Sequence, residues 1–155
     1  YIFHYVFFSF LMSIALIPLG NLLLLGQLKL SDISWIKFLL FLFLVNLLWA
    51  TMAFLLASYL ESIEKLGIAW CRIIFPLWFL GGFQFSWAAI NSVSPILSYV
   101  MLLNPVIYAT EGMRAVILGA VDAIPLWICS IVLTFMFIIT AFWSYKALKR
   151  RLDFV

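Results

Sequence analysis

The sequence predicts an all-α integral membrane protein, with about four transmembrane helices and two short re-entrant or interfacial helices before the last span. Hydrophobic residues make up 68% of the 155-residue chain and charged residues only 10%, with a mean hydropathy of +1.24. An ordinary soluble domain is nearer to half apolar. Four segments stay apolar long enough to cross a hydrocarbon layer of ~30 Å. Between the third and the fourth lies a stretch that is also apolar, but proline, asparagine and glycine cut it into pieces too short to cross.

The four long segments run from about Ile2 to Leu25, Ile33 to Ser58, Gly67 to Phe85 and Pro125 to Leu148. Their apolar residues fall on every face, the pattern of helices surrounded by lipid and by one another. Pro18 with Gly20, and Pro76 with Gly81 and Gly82, mark places where the first and third helices bend or break. Asn46, near the middle of the second, is expected to find a hydrogen-bond partner on a neighbouring helix. Lys146, Lys149, Arg150 and Arg151 follow the last span, and basic residues favour the cytoplasmic side. Four crossings then put Tyr1 on the same side, the Gly26–Asp32 and Ser86–Ile124 loops outside, and the Tyr59–Leu66 loop inside.

The Ser86–Ile124 region holds the most informative residues. Asn104 is a favoured N-cap, Pro105 suits the first helical position and Gly119 is a natural stop. They bracket about fourteen helical residues, roughly 21 Å at 1.5 Å per residue, too short to span. With a further break at Ser94-Pro95, two short helices dipping back from the outer face are expected. Backbone that breaks at membrane depth must be satisfied by protein or by a water-filled cavity.

Tyr108, Glu111 and Arg114 recur every third residue of this short helix and form one polar stripe opposite an apolar face. Glu111 and Arg114 are spaced to pair. One reading has the stripe hold the outer mouth of a path closed, and the other has the pair lie in the headgroup layer. Arg72 falls little more than a turn inside the third segment, where an ion must snorkel or pair. Glu61 and Glu64 on the inner loop are its nearest acidic residues, and the three form a candidate inner-loop coupling site.

Several function classes find no support in the residues. The net charge of +3 is concentrated at the C-terminus, which is no nucleic-acid footprint. Cys71 and Cys129 lie in apolar segments without metal-ligand spacing and read as small apolar residues. No nucleotide-binding loop, hydrolase elbow or metalloprotease motif occurs, so no catalytic, cofactor or metal residues are assigned. The aromatic residues, 19% of the chain, read first as an interfacial belt, with stacking on a sugar or drug ring as the other reading.

Asn104-Pro105, Tyr108, Glu111-Gly112, Arg114-Ala115 and Leu118-Gly119, at these spacings, resemble the signature before the last transmembrane helix of type-two ABC exporter permeases. The order of spans resembles that family over nearly the whole chain. The resemblance implies that residues 1–155 form a single membrane domain, the C-terminal part of a six-span permease in the bacterial inner membrane. It implies an ATP-binding partner subunit that carries the ATP and magnesium, a second permease copy or paralogue, and outward movement of a polysaccharide, lipid-linked or hydrophobic drug-like substrate. Membrane lipid is the other expected partner. The drug-exporter branch often has Pro-x-Trp-Leu where this chain has Ser94-Pro95-Ile96-Leu97, so the cargo stays open. A multi-pass anchor or assembly subunit without transport is the alternative.

Overall fold

The structure, a computed structural model, describes residues 2–23, 33–60, 63–119 and 122–153. Among these residues all regular structure is helical: α1 (Ile2–Leu23), α2 (Trp35–Tyr59), α3 (Ile63–Ala69), α4 (Phe75–Phe79), α5 (Trp87–Val93), α6 (Pro95–Met101), α7 (Pro105–Leu118) and α8 (Leu126–Asp153). A five-residue π segment, Trp70–Ile74, joins α3 to α4. Two helices, α2 and α8, are long and apolar enough to cross a membrane. Shorter apolar stretches lie at Val6–Pro18 in α1 and over Gly67–Phe79.

α2 is the centre of the molecule. Its Phe41 and Leu48 pack with Ala109 of α7 and with Cys129 and Leu133 of α8 in a buried cluster. Phe38 and Leu42 pack with Val116 of α7, and Phe10, Ile14 and Ile17 of α1 close that side. Polar contacts reinforce both flanks. Asn46 donates to Leu42 O at 2.8 Å and accepts from the Ser9 hydroxyl of α1. The Thr51 and Thr140 hydroxyls lie 3.0 Å apart, and Ser144 Oγ donates to Thr51 O at 3.1 Å. Such interhelical bonds contribute about 0.6 kcal/mol each in a bilayer.

The third expected segment differs most from its sequence reading. Helix resumes at Ile63, so the connection is shorter than the expected loop Tyr59–Leu66, and Glu64 sits in the first turn of α3, where the helix dipole favours an anion. The helical run then ends at Phe79, short of Phe85. Gly82 has φ +74, a left-handed conformation that turns the chain before Phe83. The π segment has a local cause as well. Pro76 offers no N–H to the carbonyl of Arg72 and its ring crowds that oxygen, so the backbone widens just before it, with Phe75 N–H bonding back to Trp70 O.

Three short helices, not two, fill the region before α8. Ser94 is extended at φ −148, and Pro95 opens a new helix instead of interrupting a longer one, separating α5 from α6. Both are seven residues long. At 14 residues, α7 reaches roughly 21 Å.

Candidate functional site

The two ends of α7 follow from its terminal residues. Asn104 Oδ1 accepts from Val106 N at 3.0 Å, Pro105 stands first, and Gly119 closes the helix in the left-handed region at φ +58. Gly112 lets α7 lie close against α2, because a Cβ there would overlap the Phe41 ring. The apolar face is thereby pressed into the core. Thr110 and Arg114 of α7, with the N-cap Asn104, are directed toward the end of α4 and the turn that follows it.

That turn leaves carbonyls without helical partners, and α7 supplies three donors to it. Asn104 Nδ2 donates to Leu77 O at 2.5 Å, Thr110 Oγ1 to Gly81 O at 2.6 Å, and Arg114 Nη2 to Gly82 O at 2.8 Å. A helix C-terminus carries partial negative charge, so a guanidinium beside its last carbonyls is favourable. On the other side of the turn, Trp87 N, the first backbone N–H of α5, donates to Glu111 Oε1 at 3.0 Å. Arg114 Nη1 donates to the same oxygen at 2.5 Å. One ion pair therefore joins the end of α4 to the start of α5.

The two members of the pair sit in different surroundings. Glu111 has 0% exposure, whereas the Arg114 side chain retains 26%. Glu111 Oε2 and the Trp87 indole N–H are buried without a partner among the described residues. The carboxylate is thus held through one oxygen, by Arg114 and Trp87 together. Tyr108 donates its hydroxyl to Leu102 O at 2.9 Å, tying α7 to the end of α6. Burial holds its phenol above the ordinary 10.0, with the nearby Cys129 sulfur as the second cause.

Two cavities meet α7. One of about 540 Å³ is lined by Ser86, Ala89, Glu111, Arg114 and Asp122. The other, about 580 Å³, is lined by Val45, Trp49, Trp78, Phe83, Thr110 and Arg114. Arg114 belongs to both walls.

Of the sequence-derived site residues, Asn104, Glu111 and Arg114 are brought together around the end of α4 and the turn at 80–87, Tyr108 is tied instead to Leu102 at the end of α6, and Pro105 and Gly119 delimit the helix. The inner-loop residues form no such cluster. Arg72 lies exposed in the π segment, Glu64 is exposed on α3 and does not pair with it, and Glu61 lies outside the described residues. Thr110, Leu77, Gly81, Gly82 and the Trp87 N–H belong to the site and were not singled out from the sequence for these contacts. Asking where the last carbonyls of α4 find donors would have directed attention to Thr110 and Arg114, one helical turn apart.

Comparisons with protein-family models, curated proteins and solved structures give no match.

Proposed function

We propose that the chain is the membrane-spanning permease subunit of an ATP-driven exporter of the type-two ABC class, acting with a separate ATP-binding subunit and a second permease copy or paralogue. In this reading α1 and the continuous run α3–α4 cross the bilayer alongside α2 and α8. Both chain ends then face the cytoplasm of a bacterial inner membrane. At 22 residues, α1 is roughly 33 Å long, enough for the hydrocarbon layer. The basic residues after the apolar part of α8 support the orientation.

The observation that carries the reading is α7, a capped helix too short to span whose polar side chains hold the turn between α4 and α5. Its residues also carry the family-like spacing. Tyr108, Glu111 and Arg114 act as an outer closure, with Arg114 lining cavities on both sides. Glu64 and Arg72 are exposed and available to a cytoplasmic partner. The cargo is a polysaccharide, a lipid-linked glycan or a hydrophobic drug-like compound.

The test is ATP-dependent transport by the full-length permease reconstituted with an ATPase subunit that copurifies with it. Glu111→Ala and Arg114→Ala are each expected to reduce transport while leaving membrane insertion and ATPase association intact. Normal transport by both variants at wild-type abundance would remove the closure role. ATP hydrolysis by the purified permease alone, or stable function as an assembly factor without transport, would remove the exporter reading.

A further inference from the structure

A second apolar cavity, about 670 Å³, adjoins the Arg114 cavity. It lies between α2 and the α3–α4 run and is lined by Met52, Ala53, Leu56, Trp70, Ile73 and Leu77, with Trp49 and Trp78. Those two tryptophans also line the cavity that ends at Thr110 and Arg114. The cavities therefore adjoin, with the two tryptophans as their common wall, and follow α2 as a groove in two parts. From Val45 to Leu56 it extends roughly 16 Å at 1.5 Å per residue, and each part falls within the ~300–1,000 Å³ range of small-molecule sites.

The chemistry along the groove is graded. Among the described residues, no charged side chain lines the part between Trp49 and Trp70, and Arg114 is the one charged residue lining the other part. Glu111 lines the opposite cavity and not this one, so the ionic residue that a ligand in the groove meets is Arg114. Of the five guanidinium N–H groups, the contacts to Glu111 and Gly82 use two, leaving others to donate. An apolar slot with a cation at one end matches a molecule with a chain at one end and an anion at the other.

We propose that a membrane phospholipid with a net anionic headgroup binds this groove as a resident ligand, one acyl chain in the Trp49–Trp70 slot and its phosphate on Arg114. Arginine suits phosphate because its planar fork presents parallel donors. Membrane insertion supplies the lipid at high local concentration, so the proposal needs no ATP-driven step. Its failure is separable from failure of the exporter reading.

The test uses the full-length protein in nanodiscs containing photoactivatable phosphatidylglycerol, with the diazirine on the acyl chain, and separately the phosphatidylcholine analogue with the same chain. Labelled residues are mapped by peptide mass spectrometry. A single arginine near an anionic headgroup corresponds to about fivefold enrichment. Labelling of Met52–Leu56 and Ile73–Leu77 is therefore expected to be about fivefold stronger with phosphatidylglycerol, and Arg114→Gln is expected to abolish that preference. Ala53→Trp fills the slot without touching the α7 contacts. It is expected to cut slot labelling several-fold with both lipids and leave the exposed Ile131 and Phe135 face of α8 unchanged. Equal labelling by the two lipids in the wild type would overturn the headgroup assignment, and slot labelling unchanged by Ala53→Trp would overturn the chain site. If Arg114→Gln does not assemble, the wild-type lipid ratio and Ala53→Trp still decide the outcome.

Discussion

Replacing Arg114 should destabilise the protein more than replacing Glu111, because the two partners are buried to different extents. Arg114→Gln leaves the Glu111 carboxylate at 0% exposure with Trp87 N–H as its remaining donor. Breaking a buried pair in this way costs about 3–5 kcal/mol. The arginine side chain retains 26% exposure, which places the cost near the lower end, about 3 kcal/mol. Glu111→Gln keeps an oxygen for Trp87 N–H and leaves Arg114 its bond to Gly82 O and access to solvent. It loses mainly charge assistance, about 1 kcal/mol. At about 2–4 °C per kcal/mol for a chain of this size, the expected falls in Tm are roughly 6–12 °C for Arg114→Gln and 2–4 °C for Glu111→Gln.

The double variant sharpens the test. With Glu111 also neutral, no charge is stranded, so the pair should be less unstable than the sum of its singles by about 2 kcal/mol. A charge swap is expected to recover only part of the loss, since an arginine at position 111 cannot accept from Trp87 N and a glutamate at 114 cannot donate to Gly82 O. Thermal unfolding of detergent-solubilised protein, read by intrinsic fluorescence, supplies all the values. Equal falls for the two single variants, a reversed order, or additivity within about 0.5 kcal/mol would refute the reasoning.

Three further outcomes follow from the same contacts. Asn104→Ala removes the α7 N-cap and the bond to Leu77 O, and should lower stability by about 2 kcal/mol in the same unfolding assay. Gly112→Ala drives a Cβ into the Phe41 ring and should cost about 1–3 kcal/mol, part of which Phe41→Leu restores in the double variant. Tyr108 should ionise above the ordinary 10.0; its contribution to stability is full below pH 10 and is lost as pH rises through the raised value, which a phenolate absorbance titration against Tyr108→Phe measures.

The parts of this fold that were legible in the sequence depend on local chemistry. The ends of α7 are fixed by the Asn104 side chain, the ring of Pro105 and the left-handed Gly119, none of which needs a distant partner. The length of α2 follows from its long apolar run, whereas α8 continues beyond its apolar part through Lys146–Asp153. The end of α4 was legible in part: Gly81 and Gly82 marked a bend or break, but hydrophobicity continues through Phe83 and Phe85, so the segment read as running on to Phe85. Hydropathy records the solvent a residue prefers, and says little about φ. Ser94-Pro95 likewise marked a break without revealing that both sides would be helical. The contacts from α7 to the turn were hidden for another reason. Every residue has a carbonyl, so nothing in the sequence marks Leu77, Gly81 and Gly82 as acceptors for side chains 27, 29 and 32 positions away.

These acceptors lie close together on one turn, and their donors all belong to one helix. Moving the end of α4 away from α7 by more than a bond length must therefore break the Asn104, Thr110 and Arg114 contacts together, while the Arg114–Glu111 pair, internal to α7, stays in place. Each neutral bond is worth about 1 kcal/mol and the charge-assisted ones more, so the joint opening costs several kcal/mol at once. An element held in this way resists gradual displacement and favours discrete positions. Within the same helical run, the π segment before Pro76 interrupts the α-helical ladder, and such segments are where helices change direction. The run from α3 to α4 is thus firmly attached at the turn held by α7 and locally adaptable at Trp70–Ile74, with the groove along α2 between those two points.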